Sequence, residues 1–458
     1  QHLSRAHHQR AIELPPNPRS VHNLLKASHT LQPMRAINTS PLLTLCRKSL
    51  LLLVASWTAA TSQSAPISPQ ADWPGWRGPT ADGQAAPGQS IPSTWNETTG
   101  VRWTTPIRGR GHGSPSVVGD HLYIATADTS AEEQIVLCLN RKNGNLLWSS
   151  VIHKGHLDSG KHRLSSPATS AVACDGERLY VNFPNQGAIF TTALDLNGKI
   201  LWQQKVCDFV MHQGFGVSPV VHGELVLVNA DNKGGGRIAA LNRKTGEPVW
   251  SHSRPLLPNY TTPSIVTAAG KTQMILSGCN LISSFNPVSG EKLWETQGST
   301  EECVTAAVTD GKRVFVSGGY PRNHLAAIEA DGSGRVAWQN PTRVYVPSML
   351  IRDGHLYAAL DSGHLACFKS DTGDELWKEK IDRDFYASPV MLGDRIFITN
   401  LQSTTSVIQV SPTGSKLLSQ NRLGDESLSS PSICGNRIYL RYAKNSDSRQ
   451  EFISAIGE

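Results

Sequence analysis

Histidine, aromatic and acidic side chains collect in a few irregular stretches of the chain, and these are where chemistry would sit. Arg108-Gly-Arg-Gly-His112 is the first such stretch. The second runs His153-Lys-Gly-His156-Leu-Asp158 and on to His162 and Arg163. His212 and Phe215 follow, then Tyr260, Tyr345, Asp384 with Tyr386, and Asp425-Glu426. Imidazole and carboxylate are zinc ligands, so His153, His156 and His162 invite a metal reading. Lys154 and Lys161 lie among them, however, and their spacing matches no compact tetrahedral site, so a solvated polar loop is the expectation. The better supported reading is a binding rim made of His112, His162, Arg163, His212, Phe215, Tyr260, Tyr345, Asp384 and Tyr386. Nucleophile and phosphate motifs are missing: there is no G-x-S-x-G elbow, no G-x-x-x-x-G-K-[ST] loop and no kinase set. Asp231-Asn-Lys-Gly-Gly-Gly-Arg237 is glycine-rich, but no helix start follows it to cradle an anion. It reads as a flexible loop.

The elements that position these stretches repeat. Ala240 to Trp250 reads A-L-N-R-K-T-G-E-P-V-W, two apolar runs joined by a Gly-containing turn, which signals a β-hairpin. The copies C-L-N-R-K-N-G-N-L-L-W, A-L-D-L-N-G-K-I-L-W, S-F-N-P-V-S-G-E-K-L-W, A-I-E-A-D-G-S-G-R-V-A-W and C-F-K-S-D-T-G-D-E-L-W end at Trp148, Trp202, Trp294, Trp338 and Trp377. A decayed copy ends at Leu418, and an orphan half-copy, Thr99 to Trp103, precedes them all. Repeats of forty-odd residues with several strands each indicate a β-propeller.

Ahead of each hairpin stands a Ser-Pro-like pair and a second short apolar run. The pairs are Ser114-Pro115, Ser166-Pro167, Ser218-Pro219, Thr262-Pro263, Thr305-Ala306, Ser348-Met349, Ser388-Pro389 and Ser430-Pro431. Proline suits the start of a strand, where its missing N–H breaks no ladder bond. Each unit therefore holds four strands, A to D. The fourth strand of the last unit is missing at its own place, and Thr99–Trp103 is a fourth strand with no unit of its own. The expectation is an all-β, eight-bladed propeller of four-stranded antiparallel blades, closed where residues 99–103 join the C-terminal strands. Trp103, Trp148, Trp202, Trp250, Trp294, Trp338 and Trp377 would wedge neighbouring blades together, with Leu418 marking the weakest junction. The loops entering strand A and those between B and C share one rim, which is where the histidines and tyrosines fall.

Outside the repeats, Asp72-Trp-Pro-Gly-Trp-Arg-Gly-Pro-Thr80 reads as an irregular lead-in packing Trp73 and Trp76 on the body. Residues 1–33 show no periodicity, and Met34 marks a plausible true start. Residues 34–65 carry a basic region, the short apolar run Ser49 to Trp57 and a small-residue exit, the pattern of a signal peptide. Residues 66–458 are then the propeller, exported to the periplasm or beyond. No Cys follows the apolar run to take a lipid, and no stable membrane insertion is expected after cleavage. The net charge of +6 comes from residues 1–65, which hold seven Lys or Arg against Glu13 alone; the rest balances at 36 basic and 36 acidic residues. Bulk charge thus gives no case for nucleic acid. Seven cysteines follow residue 65 with no paired motif, and Cys138 and Cys367 stand where sister repeats have Ala193 and Ala240.

With these repeats in view, the chain resembles the pyrroloquinoline-quinone-type (PQQ-type) repeat family. That family includes eight-bladed quinoprotein alcohol dehydrogenases and non-enzymatic relatives such as the bacterial outer-membrane barrel-assembly scaffold lipoprotein. The resemblance covers about residues 72–458, and W-P-G-W-R-G-P-T is similar to a secreted, propeller-only branch. It implies the propeller fold. The dehydrogenases carry an adjacent Cys pair beside their cofactor, which is absent here, and no calcium ligand or catalytic Asp maps onto this chain. The implied function is a non-enzymatic exported module binding a protein, peptide or carbohydrate partner, without a cofactor. The alternative is a PQQ- and Ca²⁺-dependent, or metal-dependent, oxidoreductase.

Overall fold

A computed structural model describes residues 66–158, 160 and 162–457, all within one compact unit spanning Ser62–Glu458. The signal-peptide and start-site expectations lie outside the described residues.

The described strands form eight four-stranded sheets, each antiparallel and laid out A-B-C-D. Blade one is Ser116–Val118, His121–Asp128, Glu133–Asn140 and Leu146–Lys154. Blade eight takes its A, B and C strands from Ser432–Cys434, Arg437–Asn445 and Arg449–Gly457, and its D strand from Val101–Ile107. Trp103 pairs with Ala455 and Thr105 with Ile453, so the two ends of the propeller share one sheet. Such closure ties both ends into a ladder and removes an open edge.

The D strands run further than the sequence suggested. The Trp is the third residue of its strand in seven blades, as in Leu146–Lys154 and Pro248–Ser253, rather than the last. Polar and apolar residues alternate only weakly beyond it because the outermost strand faces water, which hides the strand's true length. Opposite the Trp, strand C carries a small residue: Cys138, Ala193, Ala240, Ser284, Ala327 or Cys367, followed directly by a bulge.

Each indole reaches the next blade. Nε1 of Trp202 donates to the Arg243 carbonyl at 3.1 Å, and Trp103, Trp148, Trp250, Trp338 and Trp377 donate likewise to Arg141, Leu196, Pro287, Ser370 and Ser411. Trp294 instead donates to Gln273 Oε1, and Gln273 Nε2 passes the link on to the Ala330 carbonyl. The receiving turn is shaped for the ring. Asn242 Oδ1 accepts the Lys244 and Thr245 N–H groups, and Gly246 then takes φ +78°. A β-carbon on Gly246 would lie 2.6 Å from the Trp202 ring, so glycine is needed for both backbone and space.

The junction at Leu418 is not left bare. Blade eight has no C-to-D turn to receive an indole, because its C and D strands, Arg449–Gly457 and Val101–Ile107, are not consecutive in the chain. Ile91 and Trp95 of the lead-in instead join the buried cluster against which Leu418 packs. Asn421 Oδ1 accepts the Trp95 N–H at 2.9 Å, and Arg395 donates to the Ile91 carbonyl.

The innermost A strands of neighbouring blades touch, and a ring of hydroxyls joins their starts. Thr262 Oγ1 accepts the Ser218 N–H, Ser218 Oγ that of Ala171, and Ser348, Ser388, Ser430 and Ser114 continue with the N–H groups of Ala306, Ser348, Ser388 and Ser430. This pattern corrects two sequence assignments. The blade-two position is Ala171, not Ser166, and the blade-five position is Ala306, not Thr305. Neither alanine has a hydroxyl to give, so the repeat's signature is erased at those two blades.

Candidate functional site

The lead-in shapes the site from below. Trp73 pairs with Val117 in blade one, and the Pro74 carbonyl accepts the Cys174 N–H in blade two. Arg77 donates to the Met349 carbonyl in blade six, Gln84 Nε2 to the Ile351 carbonyl, and Ala85 N–H to Met391 in blade seven. Blades two and six are opposite in an eight-membered ring, so this segment crosses the channel. Trp73 is a packing residue, as read from sequence. Trp76 instead lines the cavity above the crossing.

That cavity is about 840 Å³ and opens at the rim formed by the D-to-A and B-to-C loops. Seven of the nine rim candidates line it: His112, His162, His212, Phe215, Tyr260, Tyr345 and Tyr386. Arg163 and Asp384 are exposed and stand outside its lining; Asp384 accepts from Gln402. Below the aromatic tier lie Ser114, Ser218, Thr262, Ser388 and Ser430 of the hydroxyl ring.

The three metal candidates separate. His153 packs on Phe183 and Phe190 on the outer strand, where burial pulls its pKa down to about 4. His156 is exposed with φ +54°, and His162 reaches the cavity. Among the described residues no three His, Cys, Asp or Glu side chains converge as metal ligands.

Several cavity residues escaped the sequence reading because they lie in loops without period. Glu302 is the chief one, with His212 Nε2 3.3 Å from its carboxylate. Burial lifts the Glu302 pKa, against the pull of His212 and Lys233. Burial, then the Glu302 charge, raises the phenols of Tyr260 and Tyr345 and keeps them protonated. His112 is only 8% exposed, and burial, with Arg110, Arg441 and Arg449 nearby, holds it neutral. Its Nε2 has no hydrogen-bond partner, while the Tyr260 hydroxyl sits beside Glu302 and the Gln213 backbone. Asp361, itself raised by burial, accepts the Tyr345 and Val346 N–H groups and fixes that loop, while Arg343 covers the Tyr345 ring at 4.9 Å.

The Asp231–Arg237 loop is not the loose connection the sequence suggested. Asp231 and Arg254 form a buried pair at 3.0 Å, with side chains 0% and 3% exposed. Asn229 and Asn259 donate to the same carboxylate, and Asn232 Oδ1 accepts the Gly234 N–H. This frame presents Lys233 to the cavity. Beside it stand apolar side chains left in water, Val210 at 52% and Leu256 at 68% exposure, and Tyr320, 52% exposed, lines the same cavity. Val210 and Leu256 flank the glycines at 234 and 235.

The sequence matches the repeat family described as "Outer membrane protein assembly factor BamB" over residues 93–209, 132–379 and 361–452. The chain belongs to this PQQ-type repeat family. Proteins of that name from Bordetella pertussis and Burkholderia pseudomallei are similar to it. The first is 26% identical over 364 residues, covering 76% of this chain and 83% of the relative. The second is 24% identical over 318 residues, 65% and 73% of the two chains. Among solved structures, BamB from Moraxella catarrhalis aligns at TM-score 0.54 and 15% identity, over 76% of this chain and 96% of that one. The quinohemoprotein alcohol dehydrogenase from Comamonas testosteroni aligns at 0.62 and 12%, over 85% and 81%. These structural likenesses establish the fold.

The quinone cofactor that gives this repeat family its name does not fit the residues of the cavity. Among the described residues no cysteine is in its lining, and Glu301 and Glu302 are the only carboxylates there, with Glu302 engaged by His212.

Proposed function

We propose that this chain is an exported, non-catalytic scaffold that holds a protein or peptide partner at the channel rim. The supporting observation is a set of exposed apolar side chains at the rim: Val210 and Leu256 beside a rigidly framed loop, and Tyr320 on the lining of the same cavity. Solvated side chains of that size, gathered at one rim, are the kind of surface that a partner covers. Relatives in the family are named as outer membrane protein assembly factors, which agrees with a protein partner and a periplasmic place for this one.

The test is reciprocal purification from native envelopes, with the same protein recovered whichever partner carries the tag. Leu256→Asp and Tyr320→Asp are expected to abolish the association while leaving the folded propeller intact. Substrate turnover by the purified protein that depends on added quinone and Ca²⁺ would overturn the reading. So would a partner retained unchanged by both variants.

A further inference from the structure

We propose that the channel mouth is also a binding site for a neutral, polyhydroxylated ligand of the saccharide class. The site is built. Its floor is closed by the crossing segment that carries Trp76, and its walls hold Tyr260, Tyr345, Tyr386 and Phe215. Aromatic faces take the C–H faces of a sugar ring, and a cavity of this size lies within the range of small-molecule sites.

Two polar side chains point to what completes it. His112 is more than nine-tenths buried with Nε2 unpaired, and the half-buried Tyr260 lines the cavity with its hydroxyl beside Glu302 and the Gln213 backbone, keeping capacity for a further hydrogen bond. A buried polar group without a partner is uncommon and calls for a ligand or water. These two come from the entry loops of blades one and four, so they face the cavity from different sides. Burial keeps the imidazole uncharged and the phenol protonated. Both then suit a hydroxyl, which donates and accepts in turn.

The charges argue against an ionic ligand. Glu302 is matched by His212 and feels Lys233 as well, which leaves Glu301 as the one further carboxylate of the lining among the described residues, so neither sign is concentrated. A peptide entering as an added strand would meet little open backbone. The N–H groups of Ala171, Ser218, Ala306, Ser348, Ser388 and Ser430 are already bonded to the hydroxyl ring.

The full-length protein is titrated with maltotetraose, cellotetraose, mannotetraose and chitotetraose, reading tryptophan fluorescence and heat. At least one is expected to bind saturably with Kd below about 1 mM. Tyr260→Phe removes only the hydroxyl and is expected to weaken that binding about 10-fold. Trp76→Ala should remove the fluorescence change. No binding by any of the four overturns the proposal, as does equal binding by Tyr260→Phe and wild type. Tighter binding of tetra-alanine or a uronic-acid tetramer also overturns it. Partner retention is a separate readout, so the scaffold reading stands or falls independently.

Discussion

Ser114 Oγ accepts the backbone N–H of Ser430 at 3.1 Å, joining blade one to blade eight beside the sheet that Val101–Ile107 shares with the C-terminal strands. The Ser430 N–H is buried, so removing the acceptor strands a donor. Ser114→Ala is expected to lower stability by about 1–2 kcal/mol, read as a drop in Tm. Ala306→Ser supplies the missing hydroxyl at the blade-five position and is expected to leave Tm unchanged or higher. A fall as large as that of Ser114→Ala would show that the ring does not bind its neighbours in this way.

Gly246 and Gly119 both hold positive φ, at 78° and 57°, but only Gly246 lies against an indole. Gly119→Ala meets open space and is expected to cost about 1 kcal/mol, from backbone conformation alone. Gly246→Ala must also displace Trp202, and overpacking of this kind adds about 1–3 kcal/mol. Denaturant unfolding of the two variants separates the terms. Equal losses would mean that the ring moves aside freely.

The architecture was legible because it repeats. Seven Trp at a common strand position, a Gly four residues ahead of most of them, and one displaced half-copy define blade number and closure without any single motif being strong. The site was legible only in part, for a physical reason. His112, His212, Phe215, Tyr260 and Tyr345 could be found because the repeat frame shows which loops share a rim. Glu302, Leu256 and Tyr320 sit in stretches with no repeat to align them, and Trp76 reaches the cavity through a crossing that no local pattern announces. Ala171 and Ala306 were misplaced because a hydroxyl ring is recognised by its hydroxyls. Asp231 looked like a residue of a mobile loop, since burial of a charged pair depends on partners twenty or more positions away.

Trp95 fills the one junction where a repeat indole is missing, so its loss should be felt like that of a core residue. Trp95→Ala is expected to destabilise by about 3–5 kcal/mol. Trp76, which faces the cavity, should tolerate the same change with a smaller drop in Tm. A mild effect at Trp95 would mean that Leu418 and its neighbours close the junction without the lead-in.

Burial holds the His153 imidazole down to about 4, from an ordinary value near 6.5. Between those values the unfolded chain binds a proton that the folded one refuses, so stability rises with pH there. The contribution is present above about pH 6.5 and is lost as pH falls toward about 4. His112, held low by burial and three arginines, acts in the same direction. His153→Gln keeps a polar side chain of similar reach but cannot titrate. Its Tm is expected to fall less steeply than the wild type's between these limits. Identical slopes would show that His153 charges freely in the folded state.

Asp231 is the sharpest test of how the rim is held. Its carboxylate is fully buried, meets Arg254 at 3.0 Å and accepts from Asn229 and Asn259, while Arg254 N–H also donates to the Gly236 carbonyl. Replacing one member of such a pair leaves the other charge buried without a counterion, which costs about 3–5 kcal/mol. Asp231→Ala should therefore lower stability far more than Glu224→Ala, whose carboxylate is exposed and whose partner Arg243 keeps Asp175 and Glu177. The Asp231 variant should also speed amide exchange across residues 232–237, because the frame under Lys233 has gone, whereas Glu224→Ala should leave that exchange alone. Loss of stability without faster exchange in the loop would assign Asp231 to the core only, and would separate the rigidity of the rim from this buried pair.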